Sequence, residues 1–186
     1  MTGIAILTAI IVVVQIICTF IKFGPFSITL ALAPIIIGAA VYGVGTGAML
    51  GGVFGLVVLI TGVLGWDGGT VMLLMGINPV ATVLICIVKG AAAGLAAGAV
   101  YAAIAKKNRL VGVITAGIVC PVVNTGLFVA GMLIFFFGTI SGWAAGSDSM
   151  VQYIILGLCG GNFLVELATN LLLATAITRI IRVVRK

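Results

Sequence analysis

Three polar side chains recur at every fourth position inside a long apolar run near the C-terminal end of the chain. They are Asn162, Glu166 and Asn170, and this spacing stacks them on one face if the run is helical. An Asn side chain both donates and accepts hydrogen bonds, and Glu166 adds a carboxylate. This face therefore has the chemistry to bind a polar small molecule.

Two other apolar runs also contain polar side chains that are costly to bury. Lys89 lies in one of them, and Asn124 and Thr125 lie in the next, shortly after Pro121. A proline inside a helix removes a backbone donor, so we expect the helix to open locally here. If these runs cross a membrane, an ionisable group within them must face a partner or an aqueous cavity.

The sequence leaves two interpretations of Lys89 and Glu166 open. Either they neutralise each other as a structural ion pair, or they line a small-molecule pocket together with the nearby amides. In the second interpretation we add two residues of the loop that precedes the fourth apolar run. The candidate substrate-binding residues are then Lys89, Asn124, Thr125, Asn162, Glu166, Asn170, Asn78 and Trp66.

Catalysis and metal binding are not expected from this composition. The chain has no His, and Cys18, Cys86, Cys120 and Cys159 fall inside apolar runs without C-x-x-C spacing. Glu166 is the one carboxylate of an apolar run, and no nucleotide-binding motif is present. We therefore expect no enzyme activity, no catalytic residue, no metal and no cofactor.

The elements that position these residues are predicted to be long apolar helices. The chain is 63% hydrophobic with a mean hydropathy of +1.48, and a hydrocarbon core about 30 Å thick needs roughly 20 apolar residues per helix. The runs lack the alternation of barrel strands. We predict a single all-α integral membrane domain over residues 1–186, a bundle of six transmembrane helices. The predicted spans are 4–21, 26–44, 45–64, 79–105, 110–138 and 151–181. The second and third spans meet at glycines without a charge, so a kinked or re-entrant hairpin is an alternative there.

The basic residues predict the orientation of the bundle. They cluster at 106–109, between the fourth and fifth spans, and at 179–186, at the end of the sixth. With six spans both clusters lie on one side, which the positive-inside rule makes cytoplasmic, together with both termini. The net charge of +6 follows from this topology, so we expect a lipid bilayer as the environment and no nucleic-acid partner.

Small residues spaced four apart predict close helix packing. They are Gly43, Gly47, Gly51 and Gly55 in the third span, Gly90, Gly94 and Gly98 in the fourth, and Ala5 and Ala9 in the first. Membrane helices associate through such faces because the backbones approach closely there. Packing within the chain is the default interpretation. The first span is an end helix, however, so Ala5 and Ala9 are candidates for docking a second protein.

Taken in order, these motifs resemble a known family over essentially the whole chain. They are Ala5-x-x-x-Ala9, Ala33-Pro34-Ile35-Ile36-Ile37-Gly38-Ala39, Gly43-x-Gly45-x-Gly47-Ala48-x-x-Gly51, Asn78-Pro79, Lys89-Gly90-x-x-x-Gly94, Asn124-Thr125 and Asn162-x-x-x-Glu166. The chain resembles a substrate-binding S component of an energy-coupling factor (ECF) vitamin transporter. The resemblance implies a multi-pass protein of a prokaryotic cell membrane that captures a vitamin-like solute. It also implies docking of the Ala5–Ala9 helix on a transmembrane coupling subunit that two ATPases drive.

The sequence favours a small anionic vitamin as the solute. Lys89 suits a carboxylate, and the external loops offer few aromatic side chains beyond Trp66 and Trp143 for stacking a large flat ring. Pantothenate is the favoured ligand, with riboflavin, pyridoxine-like compounds, folate and lipoate as alternatives. We expect the loops around 22–27 and 66–78 to cover it. A self-contained secondary carrier or channel is the competing function, although the two halves show no inverted repeat.

Overall fold

The computed structural model describes residues 2–23, 26–27, 29–145, 149–154 and 161–184, without the side chains of 22–23, 26–27, 161–162, 182 and 184. The described part is almost entirely helical. Its helices are α1 (Thr2–Thr19), α2 (Leu32–Tyr42), α3 (Val44–Val63), α4 (Thr70–Ile77), α5 (Pro79–Ile104), α6 (Arg109–Phe135), α7 (Phe137–Ala144), α8 (Met150–Gln152) and α9 (Gly161–Val184). Two short antiparallel strands, β1 (Lys22–Phe23) and β2 (Phe26–Ser27), pair Lys22 with Ser27.

Five helices of the described residues are long and apolar enough to cross a membrane. They are α1, α3, α5, α6 and the segment Phe163–Ile181 of α9. The ends of α5 and α6 agree closely with the predicted fourth and fifth spans, because Asn78 and Asn108 cap their first turns with side-chain oxygens. These caps mark where each apolar run begins to be helical.

The second predicted span is the main correction. Residues 26–44 do not form one helix: they include β2, and the helical part is α2, which has only 11 residues. Such a helix rises about 16 Å, half of a 30 Å hydrocarbon core. Its start is compatible with Pro34 in the first turn, where a proline needs no helical donor. Its end is at Gly43, whose φ of 103° is a conformation that residues other than glycine rarely adopt.

The loops differ from the prediction as well. The predicted loop at 65–78 contains α4, and the loop predicted after residue 138 contains most of α7. Within the predicted sixth span, 151–181, the described residues include the end of α8 and most of α9, whereas residues 155–160 lie outside the described part. The short strands were not predicted either. Hydropathy identifies apolar segments but not the length of the helix that they form. A short apolar helix in a connection therefore gives the same signal as part of a membrane span.

Helix α2 lies at the centre of the bundle. It packs against α1, α3, α5, α6 and α9, and Ile35, Ile36 and Ala40 on it are almost completely buried. The pair α3–α5 forms the closest seam. A Cβ atom on Gly51 would clash with the carbonyl oxygen of Gly90, and one on Gly90 would clash with that of Gly51. The predicted glycine faces of these two helices thus pack on each other, as expected for close backbone approach.

Candidate functional site

A cavity lies at one end of the bundle, where the C-terminal parts of α1, α3 and α6 meet the N-terminal part of α5. Helix α4 and the turn before it form another wall. The opposite end carries the basic connection at 106–109. The cavity therefore lies at the end of the bundle where α1 leads into the connection at 22–27 and α3 leads into that at 66–78, the two loops that we expected to cover a substrate.

The lining of this cavity is polar on several sides and apolar between them. Its polar side chains come from six segments of the chain. They are Gln15, Thr29, Thr61, Asp67, Thr82, Lys89, Asn124 and Thr125. The apolar ones are Val58, Val71, Leu74, Ile85, Cys86 and Phe128. A concave, largely apolar site with a few convergent polar groups is typical of a small-molecule binding site.

Lys89 supplies the one ammonium group of the described lining. Its Nζ atom lies over the ring of Phe128, 4.9 Å from the ring centroid. An aromatic face attracts a cation electrostatically, so Phe128 holds the ammonium of α5 beside α6. The three donor hydrogens of the ammonium are not consumed by this contact. Lys89 can therefore donate to an anionic group in the cavity.

Several polar side chains of the lining are already committed to the backbone. The hydroxyl of Thr61 donates to the carbonyl of Val57 (2.9 Å), and that of Thr82 donates to the carbonyl of Asn78 (2.9 Å). The carboxylate of Asp67 accepts from the backbone N–H groups of Gly69 and Val71, both at 2.9 Å. Asp67 thereby holds the turn that starts α4, and it uses both oxygens to do so.

Two amide oxygens of the lining are not committed. Gln15 and Asn124 are 1% and 3% exposed, and neither Gln15 Oε1 nor Asn124 Oδ1 has a hydrogen-bond partner among the described residues. A buried acceptor without a donor costs about 1–3 kcal/mol. The two residues lie on different helices, α1 and α6, around the same cavity. A ligand with hydroxyl or amide N–H groups would offset this cost.

The polar face of α9 is placed differently from the prediction. Glu166 and Asn170 are buried, but neither belongs to the described lining of the cavity. Asn170 Nδ2 donates a long hydrogen bond of 3.4 Å to the carbonyl oxygen of Gly117 on α6. Glu166 lies one turn before Asn170 on α9 and is only 1% exposed. This face of α9 packs on α6.

The other candidates lie near the cavity or outside the described part. Asn78 Oδ1 accepts from the N–H of Ala81 (3.1 Å), so Asn78 caps α5. Trp66 is 42% exposed, and its ring lies 5.7 Å from that of Phe20 at the same end of the bundle. The side chain of Asn162 lies outside the described residues, as does Cys159. Of the predicted set, Lys89, Asn124 and Thr125 line the cavity together.

Eleven of the fourteen residues of the described lining are absent from the predicted set, and three of these eleven are instructive. Gln15 is an amide in an otherwise apolar run, and the cost of burying it was a sufficient indication. Asp67 was assigned to an external loop, but it is only 8% exposed. Phe128 is one of many apolar residues on α6, and nothing in its spacing distinguishes it.

Ala5 and Ala9 are exposed on the outer face of α1. Helix α1 packs on α2 and α3 through its other side, where Ile11 and Gln15 are buried. The exposed face also carries large apolar side chains, among them Ile6 and Val13, each 56% exposed. In a membrane this face meets lipid or a second protein.

The described cysteines behave as small apolar side chains. Cys18, Cys86 and Cys120 are free and buried. Among the described residues, no group of three or more His, Cys, Asp or Glu side chains could hold a metal ion.

Comparison with known proteins places the chain in a family. The family model for the substrate-specific component of ECF transporters matches residues 1–181, whereas no curated protein sequence matches the chain. Among solved structures, ThiT from Listeria monocytogenes is similar in fold, with a TM-score of 0.66 at 19% identity over 97% of this chain and 95% of that one. The protein is therefore a membrane-embedded transport protein and not an enzyme. It belongs to the family of substrate-specific components of ECF transporters.

Proposed function

We propose that the cavity binds a small vitamin-like anion, with pantothenate as the favoured ligand, and that a separate ATP-driven module powers its uptake. The observation that carries the proposal is the pair of uncommitted acceptors, Gln15 Oε1 and Asn124 Oδ1, beside the ammonium of Lys89. Three helices place these groups around one cavity. Their chemistry selects a ligand that has both a carboxylate and hydrogen-bond donors.

Each polar group of pantothenate has a matching partner in the cavity. Its carboxylate suits the Lys89 ammonium, because charge-assisted hydrogen bonds are the strong ones. Its two hydroxyls and its amide N–H suit the carbonyl oxygens of Gln15 and Asn124. Asp67 is the one acidic side chain of the described lining and repels an anion, but the two backbone N–H groups that its oxygens accept offset part of its negative charge.

The decisive test uses pantothenate and panthenol, which differ only in that panthenol has a hydroxymethyl group in place of the carboxylate. Calorimetric titration of the purified protein should give a preference for pantothenate of about ten- to a hundredfold, the value of a charged hydrogen bond of 1.5–3 kcal/mol. Lys89→Met should abolish the preference, whereas Lys107→Met, the same change at the opposite end, should leave it intact. Equal affinities in the unchanged protein would refute the carboxylate assignment.

The same titration should include thiamine, a cationic vitamin. Thiamine binding in the cavity without pantothenate binding would show that the site is correct and the ligand wrong. In liposomes the protein alone should not concentrate pantothenate, and uptake should require the coupling subunit and its ATPases. Concentrative uptake by the single chain would establish a secondary carrier instead.

The orientation that we propose places the cavity outside and both termini in the cytoplasm. It is supported by the basic connection at 106–109, which lies at the end of the bundle away from the cavity. Cysteine introduced at Asn108 should react with an impermeant thiol reagent only in broken cells, and cysteine introduced at Trp66 should react in whole cells. The reverse pattern would invert the topology.

A further inference from the structure

A second cavity lies at the opposite end of the bundle. Small residues around the junction of α2 and α3, among them Ala40 and Gly43, face the C-terminal turns of α5. Because these side chains are short, they leave a volume of about 510 Å³. The proposed binding of a vitamin makes no use of this space.

The polar side chains that line this second cavity can all donate hydrogen bonds to an anion. Tyr101 is 3% exposed, and its hydroxyl oxygen has no hydrogen-bond partner among the described residues. Lys106 and Arg109, both exposed, form the rim. No acidic side chain belongs to the described lining. The described lining thus combines a buried hydroxyl that can donate with two cations, without an acidic group that would repel an anion.

We propose that this cavity binds a phosphate group, either that of an anionic lipid headgroup or free phosphate. A phosphate offers several acceptor oxygens, which suit the Tyr101 hydroxyl together with a guanidinium and an ammonium. Basic cavities between membrane helices at the cytoplasmic side typically receive lipid headgroups. The site is independent of the vitamin cavity, so either proposal can fail without the other.

The test measures binding of phosphatidylglycerol to the full chain in phosphatidylcholine nanodiscs, by native mass spectrometry and by the unfolding temperature. Phosphatidylglycerol should bind and raise the unfolding temperature, and Lys106→Gln with Arg109→Gln should weaken binding by at least about tenfold, the loss of one charged hydrogen bond. Lys107→Gln is the matched control, because Lys107 is an exposed neighbour outside the described lining. It should bind the lipid as the unchanged protein does.

Tyr101→Phe separates the buried hydroxyl from the surface charges. In phosphatidylcholine alone the variant should unfold at no lower temperature, because the hydroxyl that it removes is unsatisfied there. Its affinity for phosphatidylglycerol should nevertheless fall about tenfold. Inorganic phosphate identifies the source: stabilisation by phosphate alone assigns a soluble ligand, and stabilisation by the lipid alone assigns the headgroup.

Three results would overturn the proposal. One is an equal loss of binding in Lys107→Gln, which would indicate a diffuse surface charge. Another is unchanged phosphatidylglycerol affinity in Tyr101→Phe. The third is loss of coupling-subunit binding in Lys106→Gln with Arg109→Gln while lipid and phosphate affinities stay unchanged, which would make this rim a protein contact.

Discussion

Asn170 Nδ2 on α9 lies 3.4 Å from the carbonyl oxygen of Gly117 on α6. That carbonyl is four residues before Pro121, which is inside α6 and has no N–H to donate to it. The side chain of Asn170 therefore replaces the hydrogen bond that the proline removes. A buried carbonyl needs a partner in lipid even more than in water, so this contact ties α9 to α6.

Replacing Asn170 should reduce stability rather than affinity. Asn170→Ala should lower the free energy of unfolding by about 1 kcal/mol, the net value of one hydrogen bond, with vitamin affinity unchanged. In a Pro121→Ala background the same substitution should cost less, because an alanine at this position restores the backbone donor. Unfolding in detergent of the two single variants and the double variant measures the coupling. An equal loss of unfolding free energy in both backgrounds would show that the Asn170 hydrogen bond does not compensate for the proline.

Substitution of Lys89 separates the two interpretations of its charge, as a ligand-binding group or as half of an ion pair with Glu166. If Lys89 serves the ligand, Lys89→Met should weaken vitamin binding about ten- to a hundredfold with little change in unfolding temperature. Adding Glu166→Gln should not restore affinity, because Glu166 lies outside the described lining. Recovery of both affinity and stability in the double variant would identify Lys89 and Glu166 as a structural ion pair.

Gln15 should prove to be a ligand-binding residue, although a hydropathy profile does not reveal it. Gln15→Leu removes the uncommitted acceptor and retains the approximate volume, so we expect weaker vitamin binding by about five- to tenfold and unchanged or higher stability. Gln152→Leu makes the same change at an exposed position and should alter neither quantity. Unchanged affinity in Gln15→Leu would remove α1 from the site.

Asp67 should stabilise the start of α4, the helix that forms one wall of the vitamin cavity. Asp67→Ala removes the acceptor of two backbone N–H groups, at Gly69 and Val71. We expect faster amide hydrogen exchange across 69–77 and a lower vitamin affinity, because α4 carries Val71 and Leu74 of the lining. Saturating vitamin should slow the exchange of the same segment in the unchanged protein. Protection confined to 106–109 would place the ligand at the other end.

The exposed face of α1 should dock the coupling subunit. Ala5→Trp with Ala9→Trp should abolish co-purification of the coupling subunit and uptake, while the solitary protein binds its vitamin normally, because bulky side chains prevent close helix approach. Ala168→Trp with Ala176→Trp is the matched control, since both residues are exposed on α9. Loss of vitamin binding in the α1 variant would assign Ala5 and Ala9 to internal packing.

The sequence by itself determined the class of this protein and its long helices. Its mean hydropathy requires a membrane, and the caps at Asn78 and Asn108 bound α5 and α6 nearly where they were predicted. The two glycine faces of α3 and α5 could be predicted because close backbone approach has a recognisable spacing. The order of the motifs was sufficient to identify the family, which the match over residues 1–181 confirms.

Only the tertiary structure decided which way each helix faces. A soluble helix reveals its inner side by the contrast between apolar and polar faces, but a helix in lipid is apolar all round. Rotation about the helix axis is then set by packing, which brings Gln15 into the cavity wall and turns Asn170 toward α6. Packing also determines the position of the short central helix α2. The helices around it supply the apolar surroundings that a full-length span would find in lipid.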